Sequence, residues 1–112
     1  MWKLAHRIIA GLIIALGTLH CVFTAFNYNS FSLNAMWFLG SGIAIILAGF
    51  LNVVVIRVGG KDRVVKLLCL TTNLIFFALF ALALLLLSQP QVIVGVVIFA
   101  IAAISVVVGE RT

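Results

Sequence analysis

Polar residues divide this chain of 112 residues into four apolar runs. Each run is about 20 residues long, the length at which an α-helix crosses the hydrocarbon core of a bilayer. The spans are expected at about 8–26, 35–56, 64–87 and 92–108. Hydrophobic residues make up 66% of the chain and charged residues 8%, whereas about a quarter of the residues in a soluble domain are charged. No room remains for a separate soluble unit, so residues 1–112 are read as one transmembrane domain. Lipid offers no partner for backbone N–H and C=O groups, which selects helices. The connections are short, so successive helices should be antiparallel neighbours. The expected fold is an all-α, integral membrane four-helix bundle running up-down-up-down.

The placement of charge orients it. Lys3 and Arg7 precede the first run, Arg57, Lys61, Arg63 and Lys66 lie between the second and third, and Arg111 follows the fourth. The connections around Asn27–Asn34 and Ser88–Gln91 carry no charge. This alternation is the positive-inside pattern and puts both termini and the middle loop in the cytoplasm. The net charge of +5 therefore reads as an orientation signal and a contact for anionic lipid headgroups. It does not read as a nucleic-acid surface, since no basic domain is left to form a groove. The two acidic residues, Asp62 and Glu110, both lie outside the spans. Pumps and proton-coupled carriers usually keep a carboxylate at membrane depth, and here none is available.

The basic start Met1–Arg7 before an apolar run resembles a secretion signal, but the run from Ile8 to Phe26 exceeds the short apolar core of a cleaved signal, and a retained helix is expected. Asn27–Ser32 is read as an outer loop with Tyr28 and Phe31 at the interface, Asn34 as the N-cap of span two, and Gly59–Arg63 as a turn. Pro90 should end span three, whose run Leu82–Leu87 should face lipid. Cys21 and Cys69 fall in opposite halves of their spans, separated in depth by roughly 15 Å, which excludes a disulfide between them.

Small and polar residues mark helix contacts in lipid. Gly17, His20, Cys21 and Thr24 share a face of span one; Trp37, Ser41, Ala44, Ala48 and Asn52 form a stripe on span two, flanked by Gly42 and Gly49. Cys69, Thr72, Asn73, Phe76 and Phe80 share a face of span three, while span four offers Gly95, Ala102, Ala103 and Ser105 and packs mainly by shape. His20 is the one histidine well inside an apolar run, and an ionisable residue there is a functional hypothesis by default. It should lie about 9 Å below the outer surface, at the depth of Trp37 and Ser41 and one turn from Thr24. These four, His20, Thr24, Trp37 and Ser41, are the expected ligand-binding residues of an outer-leaflet pocket. Imidazole and hydroxyl groups suit a carbonyl oxygen, and indole suits a ring or a cation. The alternative is a neutral His20 acting as interhelical glue. Asn52 and Asn73 form a second polar layer, either an interhelical amide pair or the lining of an inner vestibule.

No metal or haem site is expected. Adjacent His20 and Cys21 point about 100° apart on a helix, and His6 is expected at the opposite membrane surface. Without a carboxylate near His20 no catalytic triad can form, so the chain is read as non-catalytic and without cofactor.

The stretch Leu19-His20-Cys21, followed by Asn34-Ala35-Met36-Trp37-Phe38-x-Gly40-Ser41-Gly42 and Leu51-Asn52, resembles uncharacterised small bacterial four-helix membrane proteins. The resemblance covers about half the chain and implies a bacterial inner (cytoplasmic) membrane location but no activity. In size and span count the chain also resembles the small multidrug resistance exporters, dimers of four-span subunits that depend on a glutamate in the middle of span one. The region Gly11–Thr18 holds none, so that likeness is one of architecture. Dual-topology fluoride channels are a second four-span comparison, from which the fixed charge bias departs. The leading expectation is an accessory subunit, or a binder of a small amphiphile, with membrane lipids and a larger membrane complex as partners. The competing one is a small-molecule or ion transporter or channel working as a homodimer, with His20, Asn52 and Asn73 along its path.

Overall fold

In the computed structural model, which describes residues 2–59 and 61–109, the chain forms four α-helices: α1 (Trp2–Asn27), α2 (Leu33–Arg57), α3 (Arg63–Leu86) and α4 (Pro90–Gly109). All four are long and apolar enough to cross a membrane. The bundle measures 48 Å along its longest axis, matching the roughly 40–45 Å of a bilayer with its headgroup regions. Gly60 of the expected turn, and Glu110 and Arg111 after the last span, lie outside the described residues.

The helix ends follow local chemistry, with two corrections to the sequence reading. α1 begins at Trp2 rather than Ile8, because Lys3 and Arg7 are good helix formers whose long side chains reach headgroup level while the backbone stays helical. α2 is capped by Ser32, whose Oγ accepts from the Ala35 amide at 3.2 Å; Asn34, the expected cap, lies one residue inside the helix. A hydroxyl three residues before a free amide has the reach an N-cap needs, and Ser serves as well as Asn. Asp62 caps α3 by accepting from the Val64 and Val65 amides. Gly59 adopts φ +65° in the connection before it, a conformation open to glycine at little steric cost. α3 stops at Leu86, and Pro90 opens α4, where its missing N–H costs no helical hydrogen bond.

α1 and α2 form one tight hairpin. His6 near the start of α1 bonds Asn52 near the end of α2, and Cys21 near the end of α1 donates to the Leu39 carbonyl near the start of α2, so the two run antiparallel. Between these points Gly17 and Gly42 bring the backbones together. A Cβ on Gly42 would lie 2.6 Å from Cys21 Sγ and 3.0 Å from both the Cys21 nitrogen and the Gly17 oxygen. In α3 and α4 an aromatic stack does the equivalent work. Phe76 and Phe80 lie against Phe99 at ring distances of 5.0 and 5.7 Å, and Gly95 leaves the space that the Phe80 ring occupies. The hairpins join through a core of Ile9, Ile13, Ile45, Ala48, Ile98, Phe99 and Ala102. α4, expected to pack by shape, buries Gly95, Ala102, Ala103 and Ser105 together with Val92, Ile98, Phe99 and Val106. α3 buries only Cys69 and Asn73, and Leu82, Leu85, Leu86 and Leu87 are exposed, as lipid-facing residues would be.

The expected stripe on α2 holds in one half and fails in the other. Ala48 and Asn52 are buried; Trp37, Ser41 and Ala44 are exposed. Towards its start α2 buries Ala35, Gly42 and Ile45 instead, because there it leans on α1 through glycine, while its contacts with α3 gather around Asn52, Asn73, Val55 and Cys69.

The glycine seam gives a direct test. Gly42→Ala should lower unfolding free energy in detergent by about 1–3 kcal/mol, the usual cost of overpacking a closed site, and Gly42→Leu should open the hairpin. Gly40 has nothing within 4 Å of an added Cβ, so Gly40→Ala should be neutral or stabilise by up to about 1 kcal/mol. Equal unfolding midpoints for the two alanine variants would contradict the seam.

Candidate functional site

Two polar features sit inside the apolar bundle, one towards each end. The first lies near the end that gathers Lys3, Arg57 and Lys61, here termed the basic end. Asn52 and Asn73 are fully buried and His6 is 5% exposed. The Asn52 amide nitrogen donates to the Ala48 carbonyl at 2.8 Å and to Asn73 Oδ1 at 2.9 Å. Asn73 Nδ2 returns a bond to Asn52 Oδ1 at 3.0 Å and a longer one to Cys69 Sγ at 3.7 Å. Cys69 Sγ donates to Asn52 Oδ1 at 3.3 Å, and His6 Nε2 lies 2.9 Å from the same oxygen.

These contacts fix one another's polarity. Only an N–H can approach the Ala48 carbonyl so closely, so Asn52 must turn its NH₂ towards Ala48 and its oxygen towards His6. His6 therefore donates through Nε2–H and, when neutral, keeps its lone pair on Nδ1. All four amide hydrogens of the asparagine pair have acceptors, and Asn52 Oδ1 receives three donors where a carbonyl oxygen has two lone pairs. The layer is thus saturated: its amides have no hydrogen to give a ligand, and its central oxygen is occupied. Beside it, Ser105 is 1% exposed, and its Oγ has no partner. A cavity of about 40 Å³ touches Ser105, His6, Val55 and Val106, room for a water molecule or two.

His6, expected at the membrane surface opposite His20, does lie towards the end of the bundle opposite His20, and α1, which starts more than a turn before the apolar run, buries it against Asn52. The signal was available: His6, Ala10, Ile13, Gly17 and Thr24 recur on one helical face, and all are buried.

The second feature lies at the opposite, uncharged end. The His20 ring stacks on Phe38 at 3.9 Å with planes 13° apart, and Tyr28 meets Phe38 edge-on at 5.7 Å. A recess of about 310 Å³ opens between the hairpins, walled by Leu16, His20, Phe23, Phe38, Phe80 and Ala83 and rimmed by Asn27, Gln89 and Gln91. Gln91 donates to Gln89 at this rim. His20 Nε2 is shielded from the exterior and has no hydrogen-bond partner.

The four residues expected to form one pocket do not meet there. Thr24 is buried, but its hydroxyl bonds the His20 carbonyl of its own helix, and it lines a different recess with Cys21, Tyr28 and Leu39. Ser41 similarly donates to the Trp37 carbonyl at 2.9 Å. Trp37 is 67% exposed and does not line the recess. Hydroxyls on membrane helices readily take the carbonyl one turn back, which equal depth alone does not reveal. Of the four, His20 alone lines this recess, together with Phe38, Asn27 and Gln91. Adjacent His20 and Cys21 diverge, one to Phe38 and the other to the Leu39 carbonyl.

No family model matches the chain, and no curated protein or solved structure matches it either. What the fold defines is a class: a four-helix bundle of membrane-spanning type, with a closed polar layer towards one end and an open apolar recess at the other.

Substitution can rank the partners in the layer. Asn52→Leu removes the acceptor shared by His6, Cys69 and Asn73, whereas Asn73→Leu leaves Asn52 bonded to Ala48, His6 and Cys69. Asn52→Leu should therefore be the more destabilising of the two, by about 1–3 kcal/mol for the stranded donors. A double-mutant cycle should give the pair a coupling of about 0.6 and at most about 1.7 kcal/mol. Reversed order in detergent unfolding would refute the assignment of Asn52 Oδ1 as the shared acceptor.

Proposed function

We propose that this is a non-catalytic, multi-pass protein of the bacterial inner membrane that holds a small amphiphile in the recess beside His20. In this reading the chain crosses up-down-up-down, the basic end and both termini are cytoplasmic, and the recess opens in the outer leaflet. Charge placement supports the orientation, since Lys and Arg gather at one end and are missing from the connections at the other.

One observation carries the ligand reading: an otherwise apolar recess has the His20 ring in its wall, and Nε2 of that ring is buried without a partner. Leaving such a group unsatisfied costs about 1–3 kcal/mol, and a ligand carbonyl or hydroxyl reaching it removes that cost. The remaining wall suits an acyl or prenyl tail or a flat ring laid near Phe38 and Phe80, and the amides of Asn27 and Gln91 suit a polar head at the mouth. Within a larger membrane complex, the same arrangement would make the chain an accessory subunit that presents this molecule to a partner.

Transport by a homodimer is the competing reading, and the interior weighs against it. Fully buried Ile13, Phe99 and Ala102 lie between the recess and the asparagine layer, and that layer has its amide hydrogens already engaged.

The test is protein extracted from its membrane into nanodiscs and examined by native mass spectrometry. Wild-type protein should retain a small amphiphile at about one per chain. Ala83→Trp, which fills the recess, should lose it, and His20→Leu should lose it with unchanged thermal stability in detergent. Retention by Ala83→Trp, or loss of stability in His20→Leu without any bound molecule in the wild type, would return His20 to interhelical glue. Uptake or conductance in liposomes containing only this protein, abolished by His20→Ala, would establish the transport reading instead.

A further inference from the structure

The basic end carries a second site, independent of the recess beside His20. Two depressions adjoin there. One, of about 340 Å³, lies between α1 and α2 and is lined by Lys3, Arg7, Ala10, Val53, Ile56 and Arg57. The other, of about 700 Å³, lies at the helix ends and includes Trp2, Lys3, Arg57, Gly59 and Lys61. Lys3 and Arg57 belong to both, and each depression adds a cation of its own, Arg7 to the first and Lys61 to the second. Among the described residues none of these four cations forms an ion pair. Among the described residues the acid at this end is Asp62, whose carboxylate accepts from the α3 amides of Val64 and Val65. Four positive side chains thus line two adjoining depressions, and their mutual repulsion favours an anion between them.

We propose that this end binds an anionic phospholipid carrying two phosphate groups, one held by Lys3, Arg7 and Arg57 and the other by Lys3, Arg57 and Lys61. The first depression has an apolar floor of Ala10, Val53 and Ile56 below its cations, the footprint of a headgroup with its chains continuing along the helices. The second is bounded by the connection residues Val58, Gly59 and Lys61, beyond the helical part of α2, where chains have little to lie on. Its phosphate therefore arrives tethered to the first. Lys3 and Arg57 form the shared wall, which places the two phosphates side by side, and a guanidinium can bridge phosphate oxygens in a bidentate manner that an ammonium cannot.

Trp2 lines the second depression and provides the readout once Trp37, at the other end, is replaced. The experiment uses the full chain as Trp37→Phe in phosphatidylcholine nanodiscs, with Trp2 fluorescence followed as cardiolipin, or phosphatidylglycerol at matched total charge, is added. Cardiolipin should give a saturable shift at lower mole fraction than phosphatidylglycerol. Lys3→Gln with Arg57→Gln should weaken the response by about tenfold or more, while Arg63→Gln, which lines neither depression, should leave it unchanged. Should the double variant fail to assemble, as judged by its helical circular dichroism, Arg7→Gln with Lys61→Gln replaces it with the same expectation. Equal responses to the two lipids, an undiminished response in the charge variants, or the same loss in Arg63→Gln would overturn the proposal. So would displacement of the lipid by millimolar inorganic pyrophosphate, which would assign the site to a free anion. None of these outcomes bears on the His20 recess, because no residue is shared between the two sites.

Discussion

Lipid is as apolar as leucine, so the apolar face of a helix gains little by leaving it for another helix. Burial, the main drive of soluble folding, is largely absent here, and what holds the four helices must come from close contact and a few directed polar bonds. The structure divides those tasks by position. Gly17 and Gly42 let two backbones meet in the α1–α2 hairpin, stacked phenylalanines serve α3 and α4, and the Ile13–Phe99–Ala102 core joins the halves. Where α2 and α3 have only a thin shared surface, the asparagine pair supplies the link.

That pair shows how one backbone carbonyl can set the chemistry of side chains on three helices. Ala48 decides which end of the Asn52 amide faces His6; the amide then decides which imidazole nitrogen carries the proton, and Cys69 and Asn73 complete the ring of donors. Each group would be costly in hydrocarbon by itself. Joined, they leave no amide hydrogen unmet, and the single strained feature is the crowding of three donors on one oxygen. A layer of this kind specifies register: sliding α2 along α3 by one turn would break the bonds that join Asn52 to Asn73 and Cys69.

Much of this was legible in the residues. The four helices follow from apolar run length alone, and antiparallel counting brings Asn52 and Asn73 within one or two turns of each other while leaving pairing and vestibule lining open. The α3 face of Cys69, Asn73, Phe76 and Phe80 follows from helical period. What the sequence could not convey was how far a helix continues past its apolar run, or which neighbour covers a given face. Arg7 marks where hydrophobicity stops, yet the helix goes on to Trp2 because arginine and lysine can extend their charge away from a buried backbone, and His6 is carried inside with it. Trp37 and Ser41 sit at a helical angle close to that of Asn52, so counting grouped them. Only the divergence of α2 from α3 at that end leaves them exposed, and divergence is a property of two helices together. A hydroxyl's choice of its own helix as partner, as at Thr24 and Ser41, is equally invisible in a spacing argument.

The two ends of the bundle then differ in a way that bears on function more than any single residue does. Towards the basic end the Asn52 and Asn73 amides are engaged, and Lys3, Arg7, Arg57 and Lys61 are exposed on the outside. At the uncharged end the connections carry no charge, and an unsatisfied group, His20 Nε2, is buried in the bundle. A conduit needs exchangeable polar groups spaced along its whole length so that a substrate is handed from one to the next. Here fully buried Ile13, Phe99 and Ala102 lie between the His20 recess and the asparagine layer, which fits the proposed reading in which each end meets its own molecules. On the proposed reading, a protein built this way would hold one amphiphile at one end while headgroups anchor the other, and its asymmetry of charge would keep those two tasks apart.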